Sequence, residues 1–216
     1  MKSNKTTNLI ILLGIYAIAL IVFRVFYTKS GFYLFLIWNL FLAIIPFLIT
    51  NYLKRKNSKS LLFLLFPIWL LFLPNAPYII TDLVHLQQGT LMPFWFDLLL
   101  VLTFSVNGMI LFFNSLYDMF TLIKEKYSSS ISWIITSLSI FLSGFGIYLG
   151  RYLRFNSWDI IQNPLQLIKT VFQPIMHPTQ HPKTWGITIG FGLFFIICFL
   201  FYKSLFDIKK ETTLAK

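Results

Sequence analysis

Two short strings hold most of the residues able to do acid–base or ligand chemistry. One is Leu73-Pro74-Asn75-Ala76-Pro77-Tyr78-Ile79-Ile80-Thr81-Asp82-Leu83-Val84-His85. The other is Arg151-Tyr152-Leu153-Arg154-Phe155-Asn156-Ser157-Trp158-Asp159. A carboxylate and an imidazole three apart on a helix can share a proton or a metal ion. Two arginines three apart can clamp a phosphate through paired N–H groups. Asp97 adds a carboxylate outside both strings. The candidate acid–base residues are therefore Asp82, His85, Asp97 and Asp159. The candidate ligand contacts are Asn75, Tyr78, Thr81, Arg151, Arg154, Asn156, Ser157 and Trp158. A divalent metal is the one cofactor suggested, held by Asp82 and His85, with His177 and His181 as further nitrogens. The bland counterpart is structural: Asp82 caps or pairs with Arg151 or Arg154, Asp97 pairs with Arg24, Arg151 or Arg154, Asp159 joins an ion-pair network with the two arginines, and His85 is a satisfied polar residue.

The elements that position these residues belong in a membrane. Of 216 residues, 57% are hydrophobic and 12% charged, against about 25% charged in soluble domains. A mean hydropathy of +0.74 excludes a soluble fold and a disordered chain. One cysteine excludes a disulfide scaffold and a four-cysteine zinc site. Apolar runs mark about six spans near 8–27, 32–53, 61–73, 94–116, 131–148 and 185–202, with a tail at 203–216. The fold expected is an all-α polytopic bundle, one integral domain, with short re-entrant or interfacial helices on its outer face. The first run lacks a polar segment before its Ala17/Ala19 pair and reads as an uncleaved anchor. Arg24 lies near its end, where a long side chain can snorkel to the interface. Gly144, Gly146, Gly150, Gly186, Gly190 and Gly192 suit close helix packing, and Cys198 suits a core.

The net charge of +11 suits basic loops and anionic headgroups rather than nucleic acid. Six spans place twelve of the eighteen Lys and Arg residues on the side of both termini, which predicts cytoplasmic termini. Both chemistry-bearing strings then face outward. The prolines around Asn75 end the third span there, and Asn75 is expected to cap a helix that carries Tyr78, Asp82 and His85 as a polar stripe. Arg151 and Arg154 are expected to share a helix face. Asn156 or Ser157 is expected to cap the next helix, and the stretch from Leu165 to Phe172 to lie in the interface.

Taken together, the Leu73–Tyr78 string with Thr81, Asp82 and His85, Asp97 after an aromatic pair, and the Arg154–Asp159 string resemble an uncharacterised bacterial membrane-protein family, domain of unknown function 1361. The resemblance implies a multi-pass protein of the bacterial inner membrane and lends no reaction or residue role. No hydrolase elbow, zinc-protease, nucleotide-loop or dinucleotide signature is present. The function expected is binding or processing of a lipid headgroup or small anionic ligand in an outward Asp/His/Arg pocket, with membrane lipids as partners. The alternatives are a transporter of a small solute and a non-catalytic membrane assembly subunit. In a Cys198→Ser background, single cysteines at Gly89 and Gln162 should react with an impermeant thiol reagent on intact cells, and those at Ser58 and Ser128 should not. Labelling of Gly89 and Gln162 from opposite sides overturns the topology.

Overall fold

A computed structural model gives the architecture and describes residues 2–87, 91–155, 162 and 164–214. The described chain is helical: α1 (Lys2–Thr28), α2 (Phe35–Lys56), α3 (Lys59–Phe72), α4 (Asn75–Tyr78), a 3₁₀ segment (Ile79–Gln87), α5 (Phe94–Lys126), α6 (Ser129–Leu153), α7 (Pro164–Met176), a 3₁₀ turn (Pro178–Gln180) and α8 (Pro182–Leu214). Six stretches are long and apolar enough to cross a membrane, as an integral membrane protein requires.

The contacts divide the chain into two compact units. The first holds residues 1–55 and 60–115, and the second holds 56–59 and 116–216.

In the first unit, α1 buries Ile10, Ala17, Ile21 and Arg24 on one stripe while Leu9, Leu12, Ile15 and Phe23 face outward. Helix α2 buries Leu36, Leu40, Ala43 and Phe47, the i, i+4, i+7, i+11 face of a packed helix. Helix α3 has 14 residues, about 21 Å, short of the roughly 30 Å hydrocarbon core. The span gains its length from α4 and the 3₁₀ segment, so that the apolar stretch runs Lys59–Leu86. The chain turns at Leu73-Pro74, continues as α4 and tightens into 3₁₀ geometry.

The broken span is docked on α5 by two hydrogen bonds and one close backbone approach. Trp69 Nε1 donates to Ser115 Oγ at 2.8 Å, Ser105 Oγ donates to the Ile79 carbonyl at 3.2 Å, and the Ala76 carbonyl presses on Gly108. A Cβ at Gly108 would stand 2.5 Å from that carbonyl oxygen.

The cap expected at Asn75 does not form. Pro74 holds the cap position with no side-chain bond, and Asn75 Nδ2 turns back to donate to the Phe72 carbonyl at 2.9 Å. The asparagine thus satisfies the end of α3, where carbonyls lose their helical partners.

In the second unit, α6 and α8 pack along their length. Ser128 caps α6 by accepting from the Ile131 N–H at 3.2 Å. Gly144 and Gly192 are needed for the packing, since a Cβ would meet the Thr188 carbonyl in one case and the Phe141 ring in the other. Gly186 and Gly190 have open space instead, so the expected packing role does not extend to them. Cys198 is half-buried rather than core. Helices α5 and α8 run past the expected ends of their spans, to Lys126 and Leu214.

Gly108→Ala should lower the melting temperature of the detergent-solubilised protein, by an overpacking cost of about 1–3 kcal/mol. Gly190→Ala should be neutral or stabilising, by up to about 1 kcal/mol, since only helix propensity changes. Equal melting temperatures for the two variants would contradict the docking described.

Candidate functional site

The first unit gathers its buried charge at the end of α1 and the start of α5. Arg24 and Asp97 are each 1% exposed. Arg24 Nε donates to Asp97 Oδ1 at 2.6 Å and Nη2 donates to Oδ2 at 3.1 Å, a bidentate pair. The Tyr33 ring covers the guanidinium, with Cζ 4.5 Å from its centroid. Burial and the neighbouring Asp97 carboxylate raise the Tyr33 pKa, partly opposed by Arg24, so the phenol stays a neutral donor. Its hydroxyl donates to the His85 carbonyl at 3.2 Å. The expected snorkelling of Arg24 gives way to pairing, because the stripe carrying it faces protein.

Asp82 lies on the 3₁₀ segment and is also 1% exposed. One oxygen accepts from Asn39 Nδ2 of α2 at 2.9 Å. The other is 4.0 Å from His85 Nε2. At three residues per turn, side chains three apart eclipse, so Asp82 and His85 share one edge. Tyr78 falls on the Thr81 edge, where Thr81 Oγ1 donates to the Tyr78 carbonyl at 2.7 Å. The stripe expected from an α-helical period is thus split, with Asp82 and His85 kept together and Tyr78 turned aside. The His85 side chain is 25% exposed. The Phe32 and Phe35 rings meet it edge-on, with centroids at 6.2 and 5.1 Å.

This arrangement separates the expected roles. Asp97 is engaged at both oxygens by one arginine. Asp82 accepts from an amide on one oxygen and has the partly exposed His85 imidazole 4.0 Å from the other. Among the described residues no group of three His, Cys, Asp or Glu side chains can hold a metal ion, so the four-residue metal set does not assemble there. The two asparagines inside α5 lie apart from these groups. Asn114 Nδ2 donates back to the Ile110 carbonyl at 2.8 Å, and buried Asn107 receives no hydrogen bond at Oδ1.

Arg151 and Arg154 belong to the second unit. The helix ends at Leu153, and Arg154 takes the left-handed cap conformation at φ 59°, which removes it from the helix face expected to hold both arginines. Arg154 is exposed and Arg151 half-buried. Asn156, Ser157, Trp158 and Asp159 lie outside the described residues, as does the cap expected at Asn156 or Ser157. His177 and His181 flank the 3₁₀ turn before α8.

The sequence reasoning missed Tyr33, Asn39, Phe32 and Phe35. Asn39 carried a usable signal, being the lone amide in the run from Phe35 to Ile49. Replacing Asp97 with Asn should lower stability by about 3–5 kcal/mol, because Arg24 is left buried without its counter-charge. The double replacement Arg24→Leu/Asp97→Leu should recover most of that loss in thermal melts. A double variant as unstable as Asp97→Asn would contradict the cross-link role.

Residues 38–198 match a family model described as "Protein of unknown function (DUF1361)". No curated protein and no solved structure matches the chain.

Proposed function

Since the chain belongs to the DUF1361 family, whose description assigns no reaction, we propose its function from its own residues: acid–base chemistry on a lipid headgroup at the membrane surface. The observation that carries this reading is the partly exposed His85 imidazole beside the buried carboxylate of Asp82. His85 carries the proton and Asp82 orients it, with Asn39 fixing the carboxylate. A headgroup hydroxyl or phosphate oxygen is the reacting atom, reached from the exposed edge beside Phe32 and Phe35. In this reading His85 lies at the outer face of a bacterial inner membrane. A transport reading draws on the break at Leu73-Pro74, since broken spans with polar ends line substrate paths in transporters.

The test uses the small histidine count, three in the chain. In a His177→Gln/His181→Gln background His85 is the sole histidine target of diethyl pyrocarbonate. Its modification should proceed in the purified protein and slow several-fold with dihexanoylphosphatidylglycerol, which offers both phosphate and hydroxyl. Protection absent with this lipid and with dihexanoyl phosphatidic acid would overturn the headgroup reading. Solute flux in proteoliposomes abolished by His85→Gln would replace it with transport.

A further inference from the structure

The second unit carries a surface that the acid–base reading does not use. Between residues 151 and 183 the sequence holds Arg151, Arg154, Lys169 and Lys183 against the single acid Asp159. The first turn of α8 ties three of their elements together. Lys183 Nζ stands 4.1 Å over the Tyr152 ring near the end of α6. Two residues on, Trp185 Nε1 donates to the Pro174 carbonyl of α7 at 3.0 Å.

Helix α7 has 13 residues, about 20 Å, too short to cross a hydrocarbon core. Its Leu165, Ile168, Phe172 and Ile175 are 51–75% exposed and recur at i, i+3, i+7, i+10, one continuous apolar ridge. Pro174 lies on the far side and is buried against the unit. Exposed Lys169 flanks the ridge, where its stem can lie along apolar surface and its ammonium reach phosphate. An apolar ridge rimmed by cations matches one occupant in chemistry, a phospholipid leaflet with negative headgroups.

Arg154 strengthens the match. It occupies a left-handed position that glycine takes at no conformational cost, yet the residue there is a long cation. We infer that the end of α6, the first turn of α8 and helix α7 form a docking surface for anionic phospholipid of the phosphatidylglycerol class. The apolar ridge enters the acyl boundary, and Arg151, Arg154 and Lys183 bind the phosphates.

The full chain, reconstituted in nanodiscs of phosphatidylcholine doped with phosphatidylglycerol and then stripped with mild detergent, gives the readout. Phosphatidylglycerol should be enriched over the bulk ratio among the retained lipids, as measured by mass spectrometry. Arg154→Gly is the sharpest variant, since it removes the cation and relieves the backbone. It should fold with equal or higher melting temperature and lose about fivefold in enrichment, the effect of one surface cation. Arg151→Gln/Arg154→Gln/Lys183→Gln should bring the ratio to bulk, and Lys54→Gln/Arg55→Gln/Lys56→Gln should leave it high. A wild-type ratio equal to bulk, an unchanged ratio in Arg154→Gly, or an equal loss in the Lys54/Arg55/Lys56 variant would each overturn the proposal. His85 takes no part in this readout, so its failure and that of the acid–base reading are separate.

Discussion

A cation and a carboxylate removed from water must find each other, and the first unit is organised around that constraint. Neither Arg24 nor Asp97 can stay buried alone without a cost of several kcal/mol per ion, on the order given by ion desolvation. The pair therefore fixes the end of α1 against the start of α5 in one geometry. Tyr33 covers the guanidinium and reaches on to the His85 backbone. A single buried contact thus locates the loop after α1 and, through it, the 3₁₀ segment that carries Asp82 and His85.

The same segment depends on the break in the third span. Pro74 and Pro77 have no N–H to continue a helical ladder, and Asn75 closes the open carbonyl left at Phe72. The chain then tightens to three residues per turn, which aligns Asp82 with His85 and no longer with Tyr78. Docking on Gly108 permits the close approach, because the Ala76 carbonyl occupies the place of a side chain there. The Asp82–His85 juxtaposition is thus a product of backbone geometry as much as of residue choice.

Much of this was legible in the sequence, and the failures have physical causes. Hydropathy and length gave six spans because a bilayer imposes both quantities. The buried Asp97 was foreseen as paired, with Arg24 among its three possible partners. What hid Arg24 was its position near the helix end, where snorkelling and pairing read alike. The spacing of Gly14, Ala17, Ile21 and Arg24 on one stripe was the signal that it faces protein. The polar stripe on Tyr78, Asp82 and His85 was drawn with a period of 3.6 and failed because the backbone is 3₁₀. Arg154 reads as helical in the sequence because a left-handed cap usually announces itself with glycine. The lone amide Asn39 in an apolar run signals burial against a polar partner, but the sequence does not say which one.

The separation of Arg24 and Asp97 along the chain, 73 residues, sets a problem of timing during synthesis. At about 5–20 residues per second, the carboxylate leaves the ribosome roughly 4–15 seconds after the guanidinium. For that interval α1 must hold an unmatched positive charge. Its place four residues before the helix end lets the side chain rest among headgroups meanwhile.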